Sequence, residues 1–203
     1  MGNYKFGVYA FFDYDGEPIY VGQTNENLRT RIRRHLTNQR TDAVAMGVLD
    51  PFEVREVEVW PLPQFQNRGK KDPEAKGDLD ALEFQIFQKA MSDSRFHAVL
   101  NEKEPSKPNR KVEIPQSARW TIVSDEVFAI RNHPDLRIAR RASTLARLAQ
   151  VISERLVQPG LRKTLLTQAK RLEWLAKRRY EGAPEAIEEE EGGDHNNSED
   201  SGA

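Results

Sequence analysis

Cysteine is absent from the 203 residues, which excludes a disulfide framework and any thiolate zinc site. No apolar run approaches the ~20 residues of a membrane-spanning helix. The first residues lack the basic and apolar regions of a secretory signal. These absences lead to the expectation of a cytoplasmic protein with no membrane partner. Net charge is nearly absent too, at −1 from 31 Lys/Arg and 32 Asp/Glu. The length suffices for one modest domain and an appendage.

The balance of charge hides three unlike segments. Residues 137–179 hold 12 Lys/Arg against only Glu154 and Glu173, whereas after Tyr180 there are 9 Asp/Glu and no Lys or Arg. The first 136 residues are near neutral. Any polyanion partner must therefore lean on the basic segment, where displaced counterions make binding salt-dependent. The acidic end reads as a disordered tail.

Within the near-neutral part, Tyr4 to Phe12 is aromatic and β-branched and reads as a strand. Asp13-Tyr14-Asp15-Gly16 is a hairpin signal, and Pro18 to Gly22 supplies the returning strand, which makes Tyr9 and Tyr20 candidate cross-strand neighbours. Leu28, Ile32 and Leu36 are spaced as a helix over 28–36, preceded by capping residues. Arg31 and His35, four apart, project together beside that stripe. Arg33 and Arg34 point elsewhere, to solvent or to a polyanion. A second helix, over 78–90 and capped by Asp78, carries Leu79, Leu82, Ile86 and Ala90 as its core stripe, with Glu83 inside it. A carboxylate there needs a cation, a metal ion or hydrogen-bond donors. Asn101, after Ala98-Val99-Leu100, is a turn residue or a buried amide that orients others.

The tripeptides Gly7-Val8-Tyr9 and Tyr20-Val21-Gly22, ten residues apart between their tyrosines, followed by Arg31, His35, Glu83 and Asn101 in order, resemble the GIY-YIG nuclease family over residues 4–105. Valine replaces isoleucine in both tripeptides, which keeps the β-branch. The resemblance implies an α+β fold, a three-stranded antiparallel sheet flanked by helices, with Glu53 to Trp60 as the third strand. It also implies a Mg²⁺-dependent (or Mn²⁺-dependent) endonuclease that hydrolyses DNA and leaves 5′-phosphate ends. Glu83 would hold the metal. Tyr9 would be the general base, helped by His35 or Tyr20. Arg31 would meet the extra charge of the transition state, and Asn101 would orient Glu83 or a metal-bound water. His35 resembles the restriction-enzyme branch. The lack of cysteine argues against the branch that carries a zinc module.

The remaining segments give a domain plan: 1–105 nuclease-like, 106–135 a proline-containing linker with short strand and helix elements, the strand near Trp120, 136–180 a basic helical hairpin, and 181–203 the tail. Ile138, Ala142, Leu145, Ala149, Ile152 and Leu156 define the first hairpin stripe, and Leu161, Leu165, Leu172 and Leu175 the second, with Pro159-Gly160 between. Its apolar faces cover the nuclease core or form a homodimer, and its charges form a DNA-binding arm. Lys70 and Lys71, in a loop over 67–78, join Arg33, Arg34, Arg140, Arg141, Lys170, Arg171, Lys177 and Arg178 as candidate nucleic-acid contacts. RNA is an open alternative to DNA. So are a binding protein without hydrolytic activity and a self-associating scaffold. His97, His133 and His195 have no pairing at metal-ligand spacing.

Overall fold

Alternation of side chains along the first strand decides the layering. Val8, Ala10 and Phe12 point to one face, and Tyr9 and Phe11 to the other. A computed structural model of the protein describes residues 3–37, 48–154 and 159–182. In it β1 (Gly7–Phe12) pairs antiparallel with β2 (Pro18–Thr24) on one side and with β3 (Glu56–Pro61) on the other. The connecting turn is closed by a hydrogen bond from the Asp13 amide to the Glu17 carbonyl, with Gly16 at φ 72°. Ile19 is an extra residue on β2, between the pairs Phe11–Tyr20 and Phe12–Pro18.

A fourth strand, β4 (Ala118–Thr121), pairs with β3, so the sheet order is β2-β1-β3-β4. The expected three-stranded sheet thus gains a strand from the segment read as a linker. The 106–135 segment also forms a short helix, α3 (Asp125–Arg131), and is part of the α+β body. β3 starts at Glu56 rather than Glu53, because Pro51–Glu53 is a 3-10 turn capped by the Asp50 side chain.

Helices cover both faces. On the Val8 face lies α2 (Pro73–Asp93), whose Leu79, Leu82 and Ile86 pack with Val8, Ala10, Val21 and Trp60. Its cap is Asp72, which accepts from the Ala75 amide, so the helix begins a turn and a half before the expected Asp78. Asp78 instead pairs with Arg110 at 2.7 Å. The Tyr9 face receives Leu28 and Ile32 of α1 (Leu28–Thr37), together with Leu148 and Leu161 from the hairpin helices α4 (Pro134–Glu154) and α5 (Pro159–Glu181). The hairpin therefore covers the Tyr9 face of the sheet, the intramolecular alternative to a dimer. Each fully buried Leu or Phe contributes on the order of 1.5–3 kcal/mol to this packing.

The buried face of α4 differs from the apolar stripe expected. Ala142 and Ala149 are exposed, and Arg137, Arg141 and Leu148 are buried. Counter-charges set that rotation. The Arg141 guanidinium donates to Glu53 at 2.9 Å and to Asp13 at 3.0 Å, Arg171 of α5 donates to Asp13 at 2.9 Å, and Arg137 donates to Asp15 at 2.6 Å. All of these groups are buried or nearly so, and charge in such surroundings persists only when paired and hydrogen-bonded. Leu156 and the acidic tail beyond Gly182 lie outside the described residues. Among the described residues, no helix is long and apolar enough to cross a membrane.

Candidate active site

The site is built around β2, the free edge of the sheet. Tyr9 stands opposite Gly22 and Tyr20 opposite Phe11, so the two tyrosines are diagonal rather than direct partners, with ring centres 6.4 Å apart. Gly22 is required by this arrangement: a Cβ there would lie 2.5 Å from the Tyr9 hydroxyl oxygen and 3.1 Å from the Tyr20 ring. Asn27 caps α1 by accepting from the Thr30 amide, and the helix brings His35 against both tyrosines, 5.8 Å from the Tyr9 ring and 5.3 Å from that of Tyr20. Arg31, one turn earlier, faces the same place.

A groove of about 1240 Å³ runs past Tyr20, Gln23, Arg31, His35, Glu83 and Asn101. It thus brings together every candidate of the ordered set except Tyr9, which is fully buried beside Tyr20 with its hydroxyl facing the Arg31 guanidinium. Both His35 ring nitrogens are likewise buried and without a partner. Among the described residues, Arg31 pairs with no carboxylate.

Burial dominates the protonation of the site. It pushes the Tyr9 hydroxyl well above the ordinary tyrosine range, with Tyr20 adding and Arg31 opposing. Tyr20 is pushed up to about 12 by burial, again against Arg31. The His35 imidazole is pushed down to about 4 by burial and by Arg31 and Arg34, so it is neutral at pH 7. Glu83 is pushed up to about 7 by burial and by Asp80, against a hydrogen bond from Gln23 and the charge of Arg31.

Residues 5–89 match the family model of the GIY-YIG catalytic domain. This stretch is similar to a GIY-YIG catalytic domain. Domains of this family act in general as nucleases on DNA. No curated protein and no solved structure matches the chain.

Two features of the GIY-YIG-like site escaped the sequence reading. Gln23, one residue past the second tripeptide, donates from Nε2 to both Asp80 and Glu83, each at 2.9 Å, and so holds the Glu83 carboxylate. The alternation of β2 places Gln23 on the α2 face, which was the available signal. Asn101 was expected to orient Glu83 or a metal-bound water. Its amide instead accepts from the Val21 amide at 3.0 Å and donates to the Val21 carbonyl at 2.7 Å, closing the open edge of β2.

The structure also sorts the candidate nucleic-acid contacts. Arg141 and Arg171 are buried in the carboxylate network, and Arg140 makes a two-pronged bond to Asp50 at 2.7–3.0 Å, so these three hold the hairpin in place. Arg178 pairs with Asp15 at 3.2 Å and Lys177 approaches Glu181. Arg34 and Lys70 share Glu26, at 2.8 and 3.3 Å. Arg33, Lys71 and Lys170 are exposed.

Proposed function

We propose that the protein is a divalent-metal-dependent endonuclease that hydrolyses phosphodiester bonds of DNA in the groove beside β2. The observation that carries this reading is an Arg31 without a carboxylate partner among the described residues, beside a half-buried Glu83, both opening on one groove with Tyr20 and His35. A nucleic-acid-binding surface has no use for a carboxylate at that point.

The residues fit a hard divalent cation such as Mg²⁺ or Mn²⁺. Glu83 accepts a single hydrogen bond among the described residues and is held near pH 7 between its two forms, a carboxylate short of positive charge. It would be the protein ligand to the metal, steadied by Gln23. When bound, the ion supplies positive charge for the scissile phosphate and the departing 3′ oxygen.

The remaining work falls to this chain's own side chains. Arg31 offers its fork of donors to the phosphate and to the charge that grows on it, a contact whose removal from such sites commonly costs about 3–4 kcal/mol. The Tyr20 hydroxyl, which opens on the groove, orients the attacking water. Its phenolate would be rare at neutral pH and the His35 imidazole behind it is a weak base, so these two rings position the water, whose proton leaves to the solvent of the groove. Tyr9 has no opening to the groove, and its part is to hold the Tyr20 and His35 rings against Gly22.

Cation binding needs the ionised form of Glu83, so affinity rises with pH and levels off above about 7. Mn²⁺ titration followed by electron paramagnetic resonance at pH 6 and pH 8 tests this. The expected result is tighter binding at pH 8 and loss of the site in Glu83→Gln. Unchanged Mn²⁺ binding in that variant would overturn the assignment. Ligation of the cleavage products without prior phosphorylation checks the 5′-phosphate ends.

A further inference from the structure

One wall of the groove is the proline-punctuated segment 101–112, part of which had been read only as linker. It is fastened at both ends. At its start the Leu100 amide donates to the Ile19 carbonyl at 2.8 Å, and Asn101 is bonded twice to Val21. Gly160 at the head of α5 lies so close to the Glu102 carbonyl that any Cβ there would collide with it, and Lys163 of α5 pairs with Glu104. At its far end Arg110 pairs with Asp78 at 2.7 Å and donates to the Glu74 carbonyl at 2.8 Å, while the Val112 backbone exchanges two hydrogen bonds with the Gln85 side chain. Pro105 and Pro108 hold the residues before them extended.

Between the fastenings stand Lys103 and Lys107, which line the groove, are exposed, and have no ion-pair partner among the described residues. Two other charges of the segment, Glu104 and Arg110, are neutralised, and Lys111 stands beyond the Arg110 fastening. A strap pinned at both ends that holds two lysines without ion-pair partners between its fastenings, on the groove that Arg31 also lines, is suited to a chain of phosphates.

We infer that residues 103–107 form a second binding site for the sugar-phosphate backbone of the nucleic acid, on the groove that Arg31 also lines. This rests on the nuclease reading above. Lys103 and Lys107 each hold one phosphate, and the fastening by Asn101, Gly160 and Arg110 fixes where the strand lies relative to Glu83.

Fluorescence anisotropy of a labelled 20-base-pair duplex, in EDTA to prevent cleavage and from 50 to 300 mM NaCl, tests the site with the full chain. Loss of two phosphate contacts in the double variant Lys103→Gln/Lys107→Gln lowers the slope of log K against log salt by about 1.8, with affinity falling roughly tenfold or more at the lowest salt. The double variant Lys103→Arg/Lys107→Arg keeps the slope, as does Lys89→Gln on the outer side of α2, which shows that the effect is local. A full slope in the glutamine variant overturns the inference while leaving the nuclease reading intact. Failure of the unaltered protein to bind or cut DNA overturns both.

Discussion

Glu83 and Gly22 are residues whose cost to the fold reveals their use. Glu83 titrates near 7 in the folded protein and near 4.5 when exposed. The folded state therefore takes up the proton more readily, so its stability is greatest at low pH and falls as pH rises through 7. Glu83→Gln removes that penalty. In EDTA at pH 8 the variant is expected to be more stable by on the order of 1–3 kcal/mol, and at pH 4.5 to match the unaltered protein, as read by thermal unfolding at the two pH values. A variant that is stabilised by losing its site residue shows burial maintained for function. Gly22→Ala acts in the opposite direction. The added methyl meets the Tyr9 hydroxyl at 2.5 Å, and β1 and β2 cannot part without breaking the sheet. A loss of about 1–3 kcal/mol is expected, together with loss of cleavage, measured by urea unfolding and by nuclease assay.

Among the elements, the hairpin α4–α5 departs furthest from its amino-acid pattern. Its arginines are fillings for buried carboxylates at the β1–β2 turn as much as charges for a polyanion. Arg141→Met leaves Asp13 and Glu53 short of a partner and is expected to cost about 3–5 kcal/mol, visible as a large drop in thermal midpoint. The Asp15 carboxyl is held below the usual range by the bond from Arg137 and the charges of Arg141 and Arg178, although burial works to raise it. Its share of the docking energy is present above about pH 4 and is lost as pH falls further. This network was illegible beforehand because Asp13, Asp15 and Glu53 are distant in sequence from Arg137, Arg141 and Arg171, and local periodicity rewards only apolar spacing. By contrast, β1, β2 and α1, and the placing of Glu83 on the packed side of a helix, could be read from alternation and four-residue spacing alone. Long-range pairing also hid the partners of β4 and Asn101: the short strand near Trp120 joins the sheet only because β3 has a free edge, and an amide closes β2 only because residue 101 returns to it.

Among the described residues, the stretch similar to the GIY-YIG domain is covered by elements that follow it in the chain. β4 extends the sheet, the hairpin fills the Tyr9 face, and the strap 101–112 walls the groove. A fragment of residues 1–105 lacks β4 and the hairpin and exposes Asp13 and Glu53 without their arginines. It is expected to show no cooperative unfolding transition by circular dichroism, whereas the full chain shows one. The central claim is that the groove beside β2 hydrolyses DNA, and its most direct test is cleavage of supercoiled plasmid by the purified full chain. With Mg²⁺ the unaltered protein is expected to convert the plasmid to nicked or linear forms and to stop in EDTA, while Glu83→Gln, folded by circular dichroism, is inactive. Metal-dependent cleavage that persists undiminished in Glu83→Gln would contradict the account.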